Sequence, residues 1–215
     1  MAAIPLKPEY GPTLGRLLSP RWRAASPLAR GAAIAAGVGL LALLLAAGLT
    51  LEDATFSHGG RVSFSFSYRD LYRVAPDPGG YVKVQRHRDG RLEDSFAVDS
   101  LVLPPYTGEL SAELPLYAVG YIRGLSERYA GFVLRGEGKT RVNTVPAYNI
   151  FYKATVKGQT MYGRDVLLLP ERSGAREGVD IVMLTSPKVD SQVTSPLEVA
   201  SAGVLHTPLE TFAFS

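Results

Sequence analysis

The chain of 215 residues contains no cysteine. This excludes disulfides, thiol nucleophiles, cysteine-based zinc centres and the acylated cysteine of a lipoprotein, so any folded part must be held by core burial alone. Imidazole is scarce too. His58, His87 and His206 are the full set, and none has a second ligand at metal-binding spacing, so the sequence implies neither a metal nor another cofactor. Charge is missing from one long stretch: Gly31 to Leu51, GAAIAAGVGLLALLLAAGLTL, holds no Asp, Glu, Lys or Arg over 21 positions.

As a helix that stretch spans about 31 Å, the thickness of a bilayer's hydrocarbon core. It is apolar on every side, whereas a core helix in a soluble domain keeps a polar face. The expectation is a single transmembrane helix over 31–51. The rival is a cleaved signal peptide with its small-residue site near Ala46, Ala47 and Gly48, but both the apolar run and the basic leader exceed the usual signal lengths. Lys7, Arg16, Arg21, Arg23 and Arg30 precede the segment and Glu52 and Asp53 follow it. Basic flanks stay on the inner side, which places the N-terminus in the cytoplasm and the C-terminal bulk outside the plasma membrane.

Residues 1–30 are rich in proline and poor in apolar periodicity, so a flexible cytoplasmic arm is expected. Within it, Arg21, Trp22 and Arg23 suit the inner leaflet's headgroup level, making the lipid bilayer a partner. Gly31, Ala35 and Gly39 form a small-residue ladder that would let two such helices approach as a homodimer. Beyond the arm and span lie 18 of the 23 basic and 19 of the 20 acidic residues. That near-neutral balance carries no basic stripe, so nucleic acid is not an expected partner.

After a juxtamembrane linker at 52–60, residues 61–215 read as one domain. Val62, Phe64, Phe66 and Tyr68 alternate with Ser63, Ser65, Ser67 and Arg69, the period of a half-buried strand. Asp89-Gly90 between Tyr81–Arg88 and Arg91–Val98 marks a hairpin. Leu114, Tyr117, Ala118, Tyr121, Ile122, Leu125 and Tyr129 fall at helical spacing, with a cap near Ser111, Pro115 in the first turn and Gly131 as the stop. Four strands follow, at 132–142, 148–156, 161–169 and 179–185, and the apolar run from Tyr148 reads as the central one. Ser195-Pro196 with Glu198 makes a capping box that opens a second helix, and Thr207-Pro208 with Glu210 repeats it. The expected class is α+β, an antiparallel sheet with helices packed on it.

This order resembles the PsbP-like domains, an αβα sandwich common among bacterial exported proteins. The resemblance runs over the opening strand Val62–Tyr68, the helix Ala112–Tyr129, Val145-Pro146-Ala147-Tyr148-Asn149-Ile150-Phe151-Tyr152, Gly178-Val179-Asp180-Ile181-Val182-Met183-Leu184 and the closing Leu209-Glu210-Thr211-Phe212-Ala213-Phe214. It implies a non-catalytic binding or scaffolding domain that docks to an envelope protein, lipid or glycan.

Motifs for chemistry are incomplete. Gly136-Glu137-Gly138-Lys139-Thr140 resembles the end of a phosphate-binding loop, but Val133 stands where the first glycine belongs. His58-Gly59-Gly60 resembles an esterase oxyanion loop, yet Gly124-Leu125-Ser126-Glu127-Arg128 lacks the second glycine of a nucleophile elbow. Asp94, Asp99, Asp165 and Asp180 read as solvated strand charges. An envelope hydrolase assembled from such scattered residues is the alternative to a binder. The remaining enrichment is tyrosine. Tyr148, Tyr152 and Tyr162, with Arg164, are the candidate partner-binding face, since Tyr and Arg dominate binding hot spots.

Overall fold

The computed structural model describes residues 26–27, 31, 34–40, 42, 53–69, 73–75, 79–104, 110–171, 176–187 and 193–215. The chain divides into two compact units, Met1–Leu51 and Glu52–Ser215. In the first, residues 27, 31, 34–40 and 42 are helical and exposed. Among the described residues no helix is long and apolar enough to cross a membrane. The rest of the span 31–51 lies outside the described residues, as do Arg21, Trp22 and Arg23.

The second unit is built on two antiparallel sheets, where the sequence predicts one. The smaller has β1 (Asp53–His58), β2 (Phe64–Arg69) and β10 (Ala213–Phe214), in the order β1-β2-β10. β1 corrects the reading of 52–60 as a linker: Phe56 packs its ring 6.2 Å from Phe64 and 5.6 Å from Phe66, which draws the segment into register along β2. The larger sheet has seven strands: β3 (Arg73–Ala75), β4 (Gly80–Arg88), β5 (Arg91–Val102), β6 (Ala130–Val142), β7 (Val145–Val156), β8 (Gln159–Leu168) and β9 (Glu177–Thr185). Their order is β3-β4-β5-β9-β8-β7-β6. β9 is therefore the central strand, buried from Gly178 to Thr185, and β7 lies one place from the edge. The predicted β4–β5 hairpin forms, with Asp89 and Gly90 at φ of 52° and 75° as its two-residue turn requires.

Each face of the large sheet carries its own core. One face is covered by helix α1 (Leu110–Arg128), whose Leu114, Ala118 and Leu125 pack on Ile150, Tyr152, Met161 and Leu167. α1 already runs at Leu110, so Ser111 lies inside it and Pro115 beyond the first turn. Burial of the helix's apolar stripe outweighs the proline, whose missing N–H would cost more in an isolated helix. α1 ends at Arg128, ahead of Gly131, which instead opens an irregularity at the start of β6.

The other face is covered by the small sheet and the C-terminal turns rather than by a second long helix. Phe66 meets Phe96 at 4.8 Å and Phe64 meets Phe212 at 5.4 Å, with Val193, Val199, Leu205 and Leu209 completing the layer. The Ser195 capping box forms, but its helix is one 3₁₀ turn, Pro196–Glu198, because Ala200 turns the chain at φ 61°. α2 is also short, His206–Glu210, and starts one residue too early for Thr207 to cap it.

Candidate functional site

Under α1, three strands and the helix bring acids and phenols together. Asp165 on β8 and Asp180 on β9 point to the α1 face, where Tyr121 reaches both. Its hydroxyl lies 2.8 Å from Asp165 Oδ2 and in still closer contact with Asp180 Oδ2, while Tyr152 on β7 donates to Asp165 Oδ1 at 2.9 Å. Asp165 is 0% exposed and Asp180 4%, which corrects their reading as solvated charges. Asp94 is buried as well, on the opposite face. It accepts from Arg86 Nε at 3.0 Å and from Thr185 Oγ1 at 2.7 Å and is thereby neutralised.

Proton counting fixes the state of the α1-side cluster. Tyr121 has one hydroxyl proton and cannot donate it to two carboxylates. The second contact needs a carboxyl proton donated to the tyrosine oxygen, so one acid of the pair is protonated. Burial is the main cause: it raises Asp165 to about 7 and Asp180 well above the carboxylate range, with mutual repulsion adding to Asp180. Burial and the two acids likewise push the Tyr121 hydroxyl far upward, so it stays a donor.

The pH consequence has a definite sign. Between the ordinary carboxylate value near 4 and about 7, the unfolded chain has lost protons that the folded chain keeps, so this cluster's contribution to stability falls as pH rises through that window. Water entry on ionisation limits the loss to about 2 kcal/mol. Chemical unfolding of the wild type and Asp165→Asn at pH 4.5 and 7.5 checks it: relative to wild type, the variant gains about 2 kcal/mol at the higher pH. A difference independent of pH would show that Asp165 is ionised throughout.

The four residues of the predicted binding face do not converge. Across the β7–β8 hairpin Phe151 pairs with Arg164 and Lys153 with Tyr162, so Tyr148 and Tyr152 lie on one side of the sheet and Tyr162 and Arg164 on the other. Tyr152 is fully buried, its ring 5.8 Å from Tyr129 and 5.4 Å from Phe132, and Tyr148 belongs to the same core. Both side chains pack inward, beneath the helix.

Arg164 belongs to a different site. It donates through Nε and Nη2 to Asn149 Oδ1 at 3.2 and 3.1 Å and through Nη1 to Val199 O at 3.1 Å, and its Cζ lies 5.2 Å from the Phe151 ring centre. No carboxylate pairs with it among the described residues, and burial alone lowers its pKa to about 10. It opens on a cleft of about 260 Å³ lined also by Arg141, Asn143, His206 and Glu210, with Val142, Ala200 and Leu209 as apolar wall. β6, β8 and α2 each supply part of this lining.

No family model matches the sequence, and no curated protein matches it either. Among solved structures, cyanobacterial PsbP (CyanoP) from Synechocystis sp. PCC 6803 aligns with a TM-score of 0.50 and 12% identity, over 77% of this chain and 94% of that one. The fold of the domain is PsbP-like. LpqN, described as involved in cell envelope biogenesis of Mycobacterium tuberculosis, aligns over 77% of this chain and 92% of its own at TM-score 0.49 and 11% identity. At such identities the likeness is one of fold, and the residues of the PsbP-like domain must carry any functional argument themselves. Sequence reasoning placed Asp165, Asp180 and Arg141 in no site. Only one signal was available: both aspartates interrupt apolar strand runs, Val166-Leu167-Leu168 after one and Val179 with Ile181-Val182 around the other.

Proposed function

We propose that this chain is a single-pass plasma-membrane protein whose PsbP-like domain faces the outside and acts by binding. The span 31–51 would hold the domain at the membrane surface, raising its effective concentration for envelope partners. One observation carries the binding half of this reading: the titratable pair with perturbed acidity is sealed, whereas the cleft beside Arg164 is lined by two arginines and a histidine against one carboxylate, Glu210. Asp165 and Asp180 are the pair a hydrolase would be expected to use, since shifted acids mark catalytic sites. Covered by α1 and tied to Tyr121 and Tyr152, they offer no surface to a substrate. The Arg164 cleft supplies donors and positive charge, the equipment of recognition rather than of bond cleavage.

Fractionation tests the anchor and the orientation together. Full-length protein is expected to stay in membranes washed with alkaline carbonate, and protease added to spheroplasts is expected to remove the domain beyond residue 60. Full-length chain released by the wash, or a domain protected in intact spheroplasts, defeats the proposal.

A further inference from the structure

We infer that the cleft bounded by Arg141, Arg164 and His206 is a binding site for a phosphate-bearing ligand, which deepens the reading of this domain as a binder. The argument begins with unused donors. A guanidinium has five N–H groups, and the three hydrogen bonds of Arg164 to Asn149 and Val199 leave one N–H on each terminal nitrogen. Both acceptors are neutral, so the hydrogen bonds hold the side chain in place without cancelling its charge. Arg141 is also unpaired with any acid among the described residues; its Nη1 donates to Thr144 O at 2.5 Å. The one carboxylate lining the cleft, Glu210, is engaged by His206 Nδ1 at 3.1 Å. Two guanidiniums against one carboxylate leave the cleft positive, and a half-buried positive charge favours an anion that replaces lost water.

The shape narrows the class of anion. A planar carboxylate is satisfied by a single arginine fork, whereas this cleft draws its lining from three elements: Arg164 on β8, Arg141 at the rim where β6 ends, and His206 on α2. Donors from several directions suit the tetrahedral oxygens of a phosphate. Val142, Ala200 and Leu209 form an apolar wall beside them, fitted to the organic part of a phosphate ester. The same headgroup chemistry occurs on a soluble phosphate compound and on a phospholipid.

Calorimetric titration of inorganic phosphate into the full chain in phosphatidylcholine nanodiscs, with chloride at equal ionic strength as control, tests the site. Saturable binding is expected, weakened about tenfold or more by Arg141→Gln. Arg164→Gln is expected to abolish it, and because Arg164 also ties Val199 to the sheet, Arg141→Gln is the variant that decides. Heats equal to the chloride control, or binding unchanged in Arg141→Gln, overturn the site. Discs containing phosphatidic acid separate the two sources: competition against inorganic phosphate assigns the cleft to a lipid headgroup, and unchanged affinity assigns it to a soluble phosphate. Carbonate washing of the same preparation keeps the two proposals apart. A chain that stays in the membrane yet ignores phosphate loses the cleft alone, and a chain that washes out loses the anchor whatever it binds.

Discussion

Gly163→Ala is expected to lower the melting temperature of the domain by about 10 °C, the shift produced by about 3–4 kcal/mol in a protein of this size. Gly163 lies directly across from Tyr152 in the β7–β8 pair, and the phenol ring folds over it. A β-carbon there would fall 2.3 Å from Cε2 and Cζ of that ring and 2.8 Å from its hydroxyl oxygen. Tyr152 cannot step aside, because Tyr129 and Phe132 pack on it and Asp165 accepts a hydrogen bond from its hydroxyl. Displacing the ring would leave a buried carboxyl oxygen without its donor, adding to the overpacking cost. The double variant Gly163→Ala with Tyr152→Leu removes the collision, so its loss should be at least about 2 kcal/mol smaller than the sum of the single losses. Additive losses would mean that the strand, and not the ring, is what alanine disturbs.

A second large effect is expected at the start of α1. Arg176, just ahead of β9, grips Glu113 with two parallel contacts, Nη1 to Oε2 at 2.8 Å and Nη2 to Oε1 at 2.5 Å. The Glu113 side chain is only 5% exposed, so Arg176→Met strands a carboxylate away from water, at a cost of about 3 kcal/mol. Replacing both residues by methionine removes the charges together and should return the protein to within about 1 kcal/mol of wild type. Urea unfolding of the wild type and the two variants gives the comparison. Equal losses for single and double variants would show that the pair contributes through packing and not through charge.

How far the sequence could be read depended on the range of the forces involved. Alternation in Phe64-Ser65-Phe66, the Asp89-Gly90 turn and the spacing of Leu114, Ala118 and Leu125 are local, and each marked its element correctly. The rank of β9 at the sheet's centre is not local, since β5 reaches it across α1 and three intervening strands. The four residues of the predicted binding face fall on two sides of the sheet for a reason already present in the residues. Lys157-Gly158 is a two-residue turn pairing Val156 with Gln159, so even positions on β7 share a side with odd positions on β8. Tyr148 and Tyr152 therefore belong with Asp165, and Arg164 with the far side. The acid cluster was obscured because Tyr121, its hydrogen-bond hub, comes from a helix remote in sequence from both aspartates. The Arg141–Arg164–His206 cleft leaves no periodic trace at all, being assembled from a strand end, a strand interior and a short helix.

The small sheet also dictates an order of events as the polypeptide is made. β10 pairs with β2, Ser215 N donates to Ser63 O at 2.9 Å, and Ser67 N donates to Thr211 Oγ1 across 144 positions of sequence. The β1–β2 hairpin leaves the ribosome with Phe64 uncovered, and its lid, Phe212 with β10, is synthesised long afterwards. A nascent chain of this design stays sticky and protease-sensitive until β10 arrives, so maturation is governed by late closure and not by the speed of the early hairpins.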